Sequence, residues 1–544
     1  MDDAYAGGAI SPPSRTVAPI SLGPRTLRDA SGAEAFQSIL SSSGSREGAG
    51  VPPPPPDVAR DLNLDQIIAA VTAGHEALDL QPFFYAPLRD PDQVAYRHEV
   101  VRDLENPPVM ARIRGFLAAI REVRETLARA AKLYHQRQKD RVFVDAVGLY
   151  VTEVEALARD LTALPLRSRG LRGFAAYVAN HAASPAVRRL REDGEKAKAL
   201  LAAIRYCVNI HGDSVTVRAY AEEADYSEVV AKTFARFRQN AAKDYRVAFR
   251  DDPAMNSVEE RILDLLARLN PEAFTFLERY ATDHRGFVDP VIDRFFREIH
   301  FYVLYLDYIA PLREANLAFC YPAVSARDKQ IFVSATFDLA LAAKLAREKT
   351  PVVTNDFFLR VKERIFVVSG PNQGGKTTFV RTIGQLHHLG AIGCPVPGRK
   401  ARLFLPDCIH THFEREETVV SLRGKLQDDL IRIHEILAQA TPDSLILMNE
   451  IFSSTTLADA VFLATRVMER IIALDCLAVC VTFMDELAAL DPKVVSMTST
   501  VVAEDTARRT LRVVRRPADG RAYAFSIAEK YRLTRDWLDR RLAP

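Results

Sequence analysis

The chain has 544 residues, 48% of them hydrophobic and 26% charged, with a formal net charge of +2. That length is a soft prior for about three or four domains. Near-neutrality excludes a global basic field, so any contact with nucleic acid has to come from local patches. Six scattered cysteines (Cys207, Cys320, Cys394, Cys408, Cys476 and Cys480) form no C-x-x-C pair, which argues for reduced thiols rather than a disulfide framework or a zinc site. No apolar run approaches membrane-spanning length, and no basic-then-apolar leader opens the chain. A soluble, cytoplasmic protein without a membrane partner is expected.

Residues 1–58 are rich in Pro, Ser, Gly and Ala and end in Pro52–Pro56. This composition predicts a disordered tail closed by a stiff polyproline spacer. Phe36, Ile39 and Leu40 suit a short docking helix, but a tail with no partner is the plainer reading. Residues 59–345 read as mostly helical. Val109, Ile113, Phe116, Ile120, Val123 and Leu127 step by four and three, as one stripe of a long helix does. Val147, Val151, Val154 and Leu161 repeat the pattern, as does the run from Val291 through Ile299, Val303 and Leu306 to Ile309. One interruption, Cys207–Ile210 then His211-Gly212-Asp213-Ser214 then Val215–Val217, reads as a hairpin turning at Gly212-Asp213.

Two basic stretches lie in this region. Between Lys232 and Arg250, Lys232, Arg236, Arg238, Lys243, Arg246 and Arg250 face only Asp244, with Phe234, Phe237, Tyr245 and Phe249 interleaved. Arg121–Arg141 carries seven Lys/Arg against three acids. Such stretches suit contact with a phosphate backbone; the alternative is a solvated helix face whose aromatics turn to the core.

Residues 346–544 alternate strand and helix, the pattern of an α/β sheet covered on both faces. Strands are predicted at Phe357–Val361 and Ile365–Val368, joined by Lys362-Glu363, and again at Ile409–Phe413, Ala478–Thr482, Val495–Thr498 and Leu511–Val514. Helices are predicted at Leu426–Ala440 and Leu457–Leu474, with a short terminal helix at Tyr531–Leu542 around Trp537. His387-His388 and His410-x-His412 lack acidic or cysteine partners at ligand spacing and read as helix-surface and strand residues.

The chemistry is concentrated between two apolar runs. Ile365–Val368 leads into Gly370-Pro371-Asn372-Gln373-Gly374-Gly375-Lys376-Thr377 and then into a segment of helical spacing. Strand, glycine-rich loop and helix is the context in which G-x-x-x-x-G-K-[ST] binds phosphate. Glycines let backbone N–H groups turn inward, and the helix N-terminus adds partial positive charge. Lys376 would reach the β and γ phosphates, and the Thr377 hydroxyl would hold Mg²⁺. The run Ser444–Met448 reads as a buried parallel strand ending at Asn449-Glu450, where α/β sheets place ligand chemistry. A carboxylate there can take the proton of an attacking water, which makes Glu450 the candidate base; a solvated glutamate at a strand end is the alternative.

These residues carry a resemblance. GPNQGGKTT, Gly370–Thr378, resembles the phosphate loop of the MutS mismatch-repair ATPases, GPN-x-GGK-S/T-T, and so brings Thr378 into the candidate site. SLILMNEIFSSTTLAD, Ser444–Asp459, resembles the family's SLVLMDEIGRGTSTYD. Thr354-Asn355-Asp356 is similar to its PND element, AIGCPVP at Ala391–Pro397 to its IGxxVPA, and Asp519–Ala528 to its DG-x-x-x-x-S-x-G-x-x-x-A segment. Pro87-Leu88-Arg89-Asp90 with Arg97 and Val100 resembles the start of the family's core domain. The resemblance implies a multidomain architecture: an α-helical lever and clamp region followed by an α/β ABC-type P-loop ATPase domain. It implies ATP and Mg²⁺ as ligands, a homodimer, and DNA as partner. It implies nucleotide contacts from Asn355 and from the signature residues Ser421 and Gly424, and a magnesium role for Thr377 and, one shell out, Asn449.

Three departures qualify what the resemblance implies. A mismatch-reading domain with a Phe-x-Glu wedge is expected to be lacking ahead of the lever. The family's signature S-G-x-S falls on Ser421-Leu422-Arg423-Gly424, so the second serine is glycine. The switch histidine falls on Phe483, which cannot hydrogen-bond a phosphate. With Asn449 in place of aspartate, the γ-phosphate end loses polar groups while Asn372, Gly374, Gly375, Lys376 and Thr377 are kept. A DNA-binding, ATP-gated dimer is expected. A nucleotide-gated protein scaffold with little hydrolysis is the alternative, and an ABC transporter ATPase a weaker third.

Overall fold

The structure, a computed structural model, describes residues 36–42, 56–212, 214–222, 226–235, 255–414, 424–502 and 505–517. It is a multidomain protein of mixed helix and sheet. The first half opens with α1 (Pro56–Asp61), α2 (Leu64–Thr72), α3 (Gln81–Tyr85) and α4 (Pro91–Leu104). The Asp90 carboxylate caps α4 by accepting the Asp92 N–H at 2.9 Å, with proline in the first turn. Then come α5 (Pro107–Lys132), α6 (Gln136–Ala163), α7 (Arg169–Ala182) and α8 (Pro185–Ala202). The stripe of Val109, Ile113, Phe116, Ile120 and Val123 on α5 is buried, as its spacing predicts. The hairpin is also as predicted. β1 (Tyr206–His211) pairs antiparallel with β2 (Ser214–Ala219), and Gly212 takes φ 58° in the turn. α9 (Tyr226–Ala235), α10 (Ser257–Leu269), α11 (Pro271–Asp283) and α12 (Pro290–Glu314) follow.

The second half runs β3 (Phe319–Cys320), β4 (Ala323–Ser325), β5 (Ile331–Thr336), α13 (Leu339–Arg347), β6 (Asn355–Leu359), β7 (Ile365–Ser369), α14 (Lys376–Ala391), β8 (Val396–Pro397), β9 (Lys400–Phe404), β10 (Ile409–His412), α15 (Lys425–Gln439), β11 (Leu445–Asn449), α16 (Leu457–Leu474), β12 (Leu477–Val481), β13 (Val494–Val502) and β14 (Asp505–Arg515). One sheet has the order β10-β11-β12-β7-β13-β14, parallel except for the β13–β14 pair. A second sheet has the order β4-β9-β5-β6. The strands predicted at 357–361 and 365–368 therefore do not pair. β6 bonds to β5, and β7 bonds to β12 and β13, because the short turn between them carries the chain from one sheet to the other.

The central strands β7, β11 and β12 are buried on both faces, and the two faces feed different cores. Phe366, Val368, Leu445, Leu447, Leu477, Val479 and Val481 join the cluster that includes Phe379, Ile383 and Leu386 of α14. Ile365, Val367, Ile446, Met448, Ala478 and Cys480 join the cluster built with Ala464, Met468 and Ile471 of α16. Successive side chains on a strand point to opposite faces, so a strand covered on both sides reads as an unbroken apolar run. The first core continues through Val100, Phe116, Val147 and Phe295 of the helical half, so the two halves share one hydrophobic interior.

Several expectations are corrected. Within the stretch expected to be a disordered tail, residues 36–42 are packed against the helical half, with Ile39 fully buried, and they form no helix. Helix begins at Pro56, inside that stretch. His387 and His388 are buried rather than on a helix surface; His388 Nε2 lies 2.8 Å from the Phe84 carbonyl oxygen and ties α14 to α3. In the first basic stretch, Phe234 is 64% exposed rather than turned to the core. In the second, Arg124, Arg137 and Arg141 are ion-paired to Asp293, Asp264 and Asp145. Arg236 and Arg238, Asp519–Ala528 and the helix expected at Tyr531–Leu542 lie outside the described residues. Among the described residues no group of His, Cys, Asp and Glu is placed to hold a metal ion, and no helix is long and apolar enough to cross a membrane.

Candidate functional site

The candidate residues meet at the C-terminal edge of the parallel strands. β7 delivers Gly370, and β11, separated from β7 by β12, delivers Asn449 and Glu450. Between Ser369 and α14 the backbone passes through positive φ at Gly370 (110°), Gln373 (59°) and Gly375 (89°). Two of the loop's glycines are fixed by crowding from β13. A Cβ at Gly370 or Gly374 would lie 2.6 or 2.5 Å from the buried Ser499 Oγ. Only glycine lets the loop lie this close to the sheet while curling over the N-terminus of α14.

Lys376 is buried at 5% exposure, and its ammonium turns back along the loop. It donates to the Gly370 carbonyl at 2.8 Å and to Asn372 Oδ1 at 3.2 Å, and lies 3.9 Å from Glu450 Oε1. Burial holds this ammonium below the usual lysine range, while the Glu450 carboxylate opposes that shift. The Thr377 hydroxyl donates to Asn449 Oδ1 at 3.0 Å. Glu450 has φ 55°, and its N–H donates to the Val481 carbonyl at 2.9 Å, which locks the turn after β11 to β12. Phe452 also has positive φ (59°) although it is fully buried. It stands where the family pattern carries glycine, so the core holds a bulky side chain in a backbone region it rarely adopts.

A cavity of about 460 Å³ opens over the loop. Its polar wall is Asn372–Thr378 with Glu450, and its other wall is apolar: Phe337, Leu341, Leu345, Pro351, Val352 and Val353. α13 builds much of the apolar wall. It is capped by the buried Asp338, which accepts the Leu341 N–H at 2.9 Å, and is bound to α14 through Gln385, whose amide donates to Asp338 Oδ1 at 3.0 Å. Asn355 also lines the cavity. Its Oδ1 accepts the Val513 N–H at 2.8 Å, so β6 is pinned to β14. Sequence reasoning missed the α13 wall, Leu511 and Arg509. Leu511, at φ 59°, lines the cavity beside Gly375. Arg509 Nε donates to the Asn372 carbonyl at 3.3 Å and adds to the forces depressing Lys376.

Gly424 is the exposed N-cap residue of α15 and does not line this cavity. Ser421 lies outside the described residues. Phe483 is 52% exposed just past β12, also outside the cavity lining.

The donor set fits a nucleoside triphosphate with a hard cation. Backbone N–H groups at a helix N-terminus and an ammonium suit phosphates, an apolar slot of this size suits a base, and a hydroxyl beside an amide oxygen suits magnesium. Residues 366–539 match the family model for MutS domain V. The likeness to the MutS family is thus carried by this segment. The chain is 30% identical over 189 residues to the DNA mismatch repair protein MutS of Rickettsia bellii, covering 34% of this chain and 21% of that protein. It is 31% identical over 183 residues to the MutS of Thermotoga sp. strain RQ2, covering 32% and 23%. It is 35% identical over 133 residues to the DNA mismatch repair protein MSH3 of Yarrowia lipolytica, covering 24% and 13%. The matched segment thus spans less than a quarter of each of these relatives' length.

Proposed function

We propose that this MutS-family chain is an ATP-binding protein and ATPase that acts on DNA as an ATP-gated homodimer. The observation that carries the reading is the convergence of Lys376, the Thr377–Asn449 pair and Glu450 around one glycine loop at the strand ends. Magnesium, when bound, neutralises phosphate charge; Thr377 is the direct ligand this chain offers and Asn449 the group behind it. Lys376 and the loop N–H groups bind the phosphates, Asn355 and the α13 wall seat the nucleoside, and Glu450 takes the proton from the attacking water. Ser421 and Gly424 serve the nucleotide of a second copy. In this division residues 1–58 precede a lever and clamp region at 59–345, and 346–544 form the ATPase domain. A mismatch-repair or DNA-structure role follows the names of the relatives.

One observation favours a second reading, a nucleotide-gated scaffold that hydrolyses little. Asn449 carries no charge, so the amide oxygen behind Thr377 gives a divalent cation none of the anionic support a carboxylate would. Titration with a fluorescent ATP analogue, beside steady-state hydrolysis alone and with duplex, mismatched and branched DNA, separates the two. DNA-dependent turnover supports the first reading. Tight nucleotide binding with neither turnover nor a DNA response moves the assignment to the scaffold, and absence of nucleotide binding overturns both.

A further inference from the structure

Residues 36–42 lie in a groove formed by α4, α7 and α12, and the way they are held is that of a bound peptide. Four consecutive carbonyls of this strap are each met by a groove side chain. Arg294 donates to the Gln37 oxygen at 2.8 Å, Tyr96 to Ser38 at 2.8 Å, Tyr302 to Ile39 at 2.8 Å, and Arg97 Nε to Leu40 at 3.0 Å. The buried Glu298 carboxylate accepts both the Ser38 hydroxyl at 2.8 Å and the Ile39 N–H at 3.0 Å. Gln93 accepts the Ser42 N–H and donates to its hydroxyl. A backbone without helix or strand of its own, satisfied by side chains of a preformed surface, is how extended peptides are recognised.

The groove is also shaped for particular side chains. Gly170 and Gly173, one turn apart on α7, leave the floor open. A Cβ at Gly170 would lie 2.8 Å from Ile39 Cδ1, and one at Gly173 would lie 3.3 Å from the Phe36 ring. Phe36 packs at 5.3 Å from the Phe174 ring and 6.4 Å from Phe295. Ile39 is fully buried and Leu40 nearly so.

One groove residue reaches further. Arg97 is buried, and its guanidinium is divided: Nε serves the strap, and Nη1 donates to the Ile392 carbonyl at 2.7 Å. Ile392 is the C-cap of α14, the helix that begins at Lys376. Gly393, at φ 75°, lies so close to the arginine stem that a Cβ there would be 2.7 Å from Arg97 Cβ.

We propose that this groove is a peptide-recognition site for an extended Phe-x-Ser-Ile-Leu segment, filled in cis by Phe36–Leu40, and that its occupancy is transmitted through Arg97 to the far end of the phosphate-loop helix. Vacating the groove leaves the buried guanidinium with one carbonyl fewer and the Glu298 carboxylate without its donors, so the Ile392 end of α14 loosens. The peptide half of this inference is independent of the nucleotide reading, and the readout chosen for the second half is structural for the same reason.

The test uses the full chain with Ile39→Asp, which expels the strap, and a labelled synthetic peptide of residues 34–44. Saturable peptide binding to Ile39→Asp is expected, at least tenfold weaker binding to the wild-type chain, whose tethered strap competes, and none to Ile39→Asp combined with Gly170→Leu. No binding to a folded Ile39→Asp chain, or equal binding to all three, overturns the site. Should Ile39→Asp not fold, a protease site placed within residues 43–55 of the wild-type chain is cut instead. Exchange of the cut strap for labelled peptide supports the proposal, and unfolding or permanent retention overturns it. Amide hydrogen exchange at residues 388–394 is expected to quicken at least tenfold in the vacated chain and to recover with peptide. Quickening confined to α4, α7 and α12 overturns the transmission.

Discussion

The Thr377 hydroxyl donates to the Asn449 side-chain oxygen at 3.0 Å. This bond joins the first turn of α14 to the end of β11 and sets the hydroxyl where a cation would need it. Asparagine preserves the geometry but brings no negative charge to a divalent ion. Asn449→Asp is therefore expected to strengthen magnesium binding and to raise turnover by at least about tenfold, or about 1.4 kcal/mol of barrier. Phosphate release measured against magnesium concentration decides the point. An unchanged magnesium dependence would show that Asn449 only braces the loop.

Lys376 is a buried cation held by two loop oxygens, with Glu450 at 3.9 Å. Lys376→Met keeps most of the length of the side chain and removes the charge. The chain should fold with an unchanged or somewhat lower melting temperature, since the loss of a desolvated ammonium is offset by oxygens of Gly370 and Asn372 left without their donor and by Glu450 left without its counter-charge. Binding of a fluorescent ATP analogue should be lost. Ordinary affinity in this folded variant would falsify the phosphate-loop assignment.

Glu450→Gln removes the proposed base but keeps the backbone bond to Val481 and the space the side chain fills. Nucleotide should bind and remain intact, with single-turnover hydrolysis slowed by about 10² to 10⁴, the range for a lost general base. Turnover at the wild-type rate would remove Glu450 from the chemistry and leave it as a partner of Lys376.

Arg509 approaches the loop from β14, with its Nε 3.3 Å from the Asn372 carbonyl. A second cation beside Lys376 makes the loop more attractive to the extra negative charge of a triphosphate. Arg509→Ala should therefore weaken ATP more than ADP, by about tenfold for a charge-assisted contact of about 1.4 kcal/mol. Competition titrations with the two nucleotides measure the difference. Equal losses would mean the residue serves only the shape of the loop.

What could be read in the sequence was what is local in it. The glycine loop, the β11 terminus and the α5 and α12 stripes each declare themselves within one short window of residues. The rest depends on contacts between distant segments. Arg97 meets Ile392, and Arg509 meets Asn372, across sequence separations of 295 and 137 residues, and no spacing rule announces either. Pro, Ser and Gly around Ile39 and Leu40 argue against order there, yet a few apolar residues suffice when side chains such as Glu298 and Tyr302 satisfy their backbone. His387 and His388 sit on a helix packed all round, where a polar residue cannot be placed on a surface face by periodicity.

Those buried histidines give the chain a defined acid sensitivity. Burial pushes His387 and His388 down to about 4, and His98 and His300 likewise. In the unfolded chain each titrates near an ordinary value of about 6.5. Between those limits the unfolded chain binds more protons, so stability falls as pH drops from about 6.5 to about 4 and is fully present above that window. Asp140, Glu298 and Asp338 act in the opposite sense, because burial raises them and the folded chain then holds the extra proton. A variant comparison isolates the imidazole. His388→Gln keeps an amide N–H available for the Phe84 carbonyl and removes one titrating group. Urea unfolding at pH 7 and pH 5 should show a smaller loss of stability in the variant, the difference being on the order of 1 to 2 kcal/mol at about 1.4 kcal/mol per pH unit below 6.5. Parallel losses in both proteins would mean that His388 takes up its proton as readily in the folded chain as in the unfolded one, so that burial does not depress it.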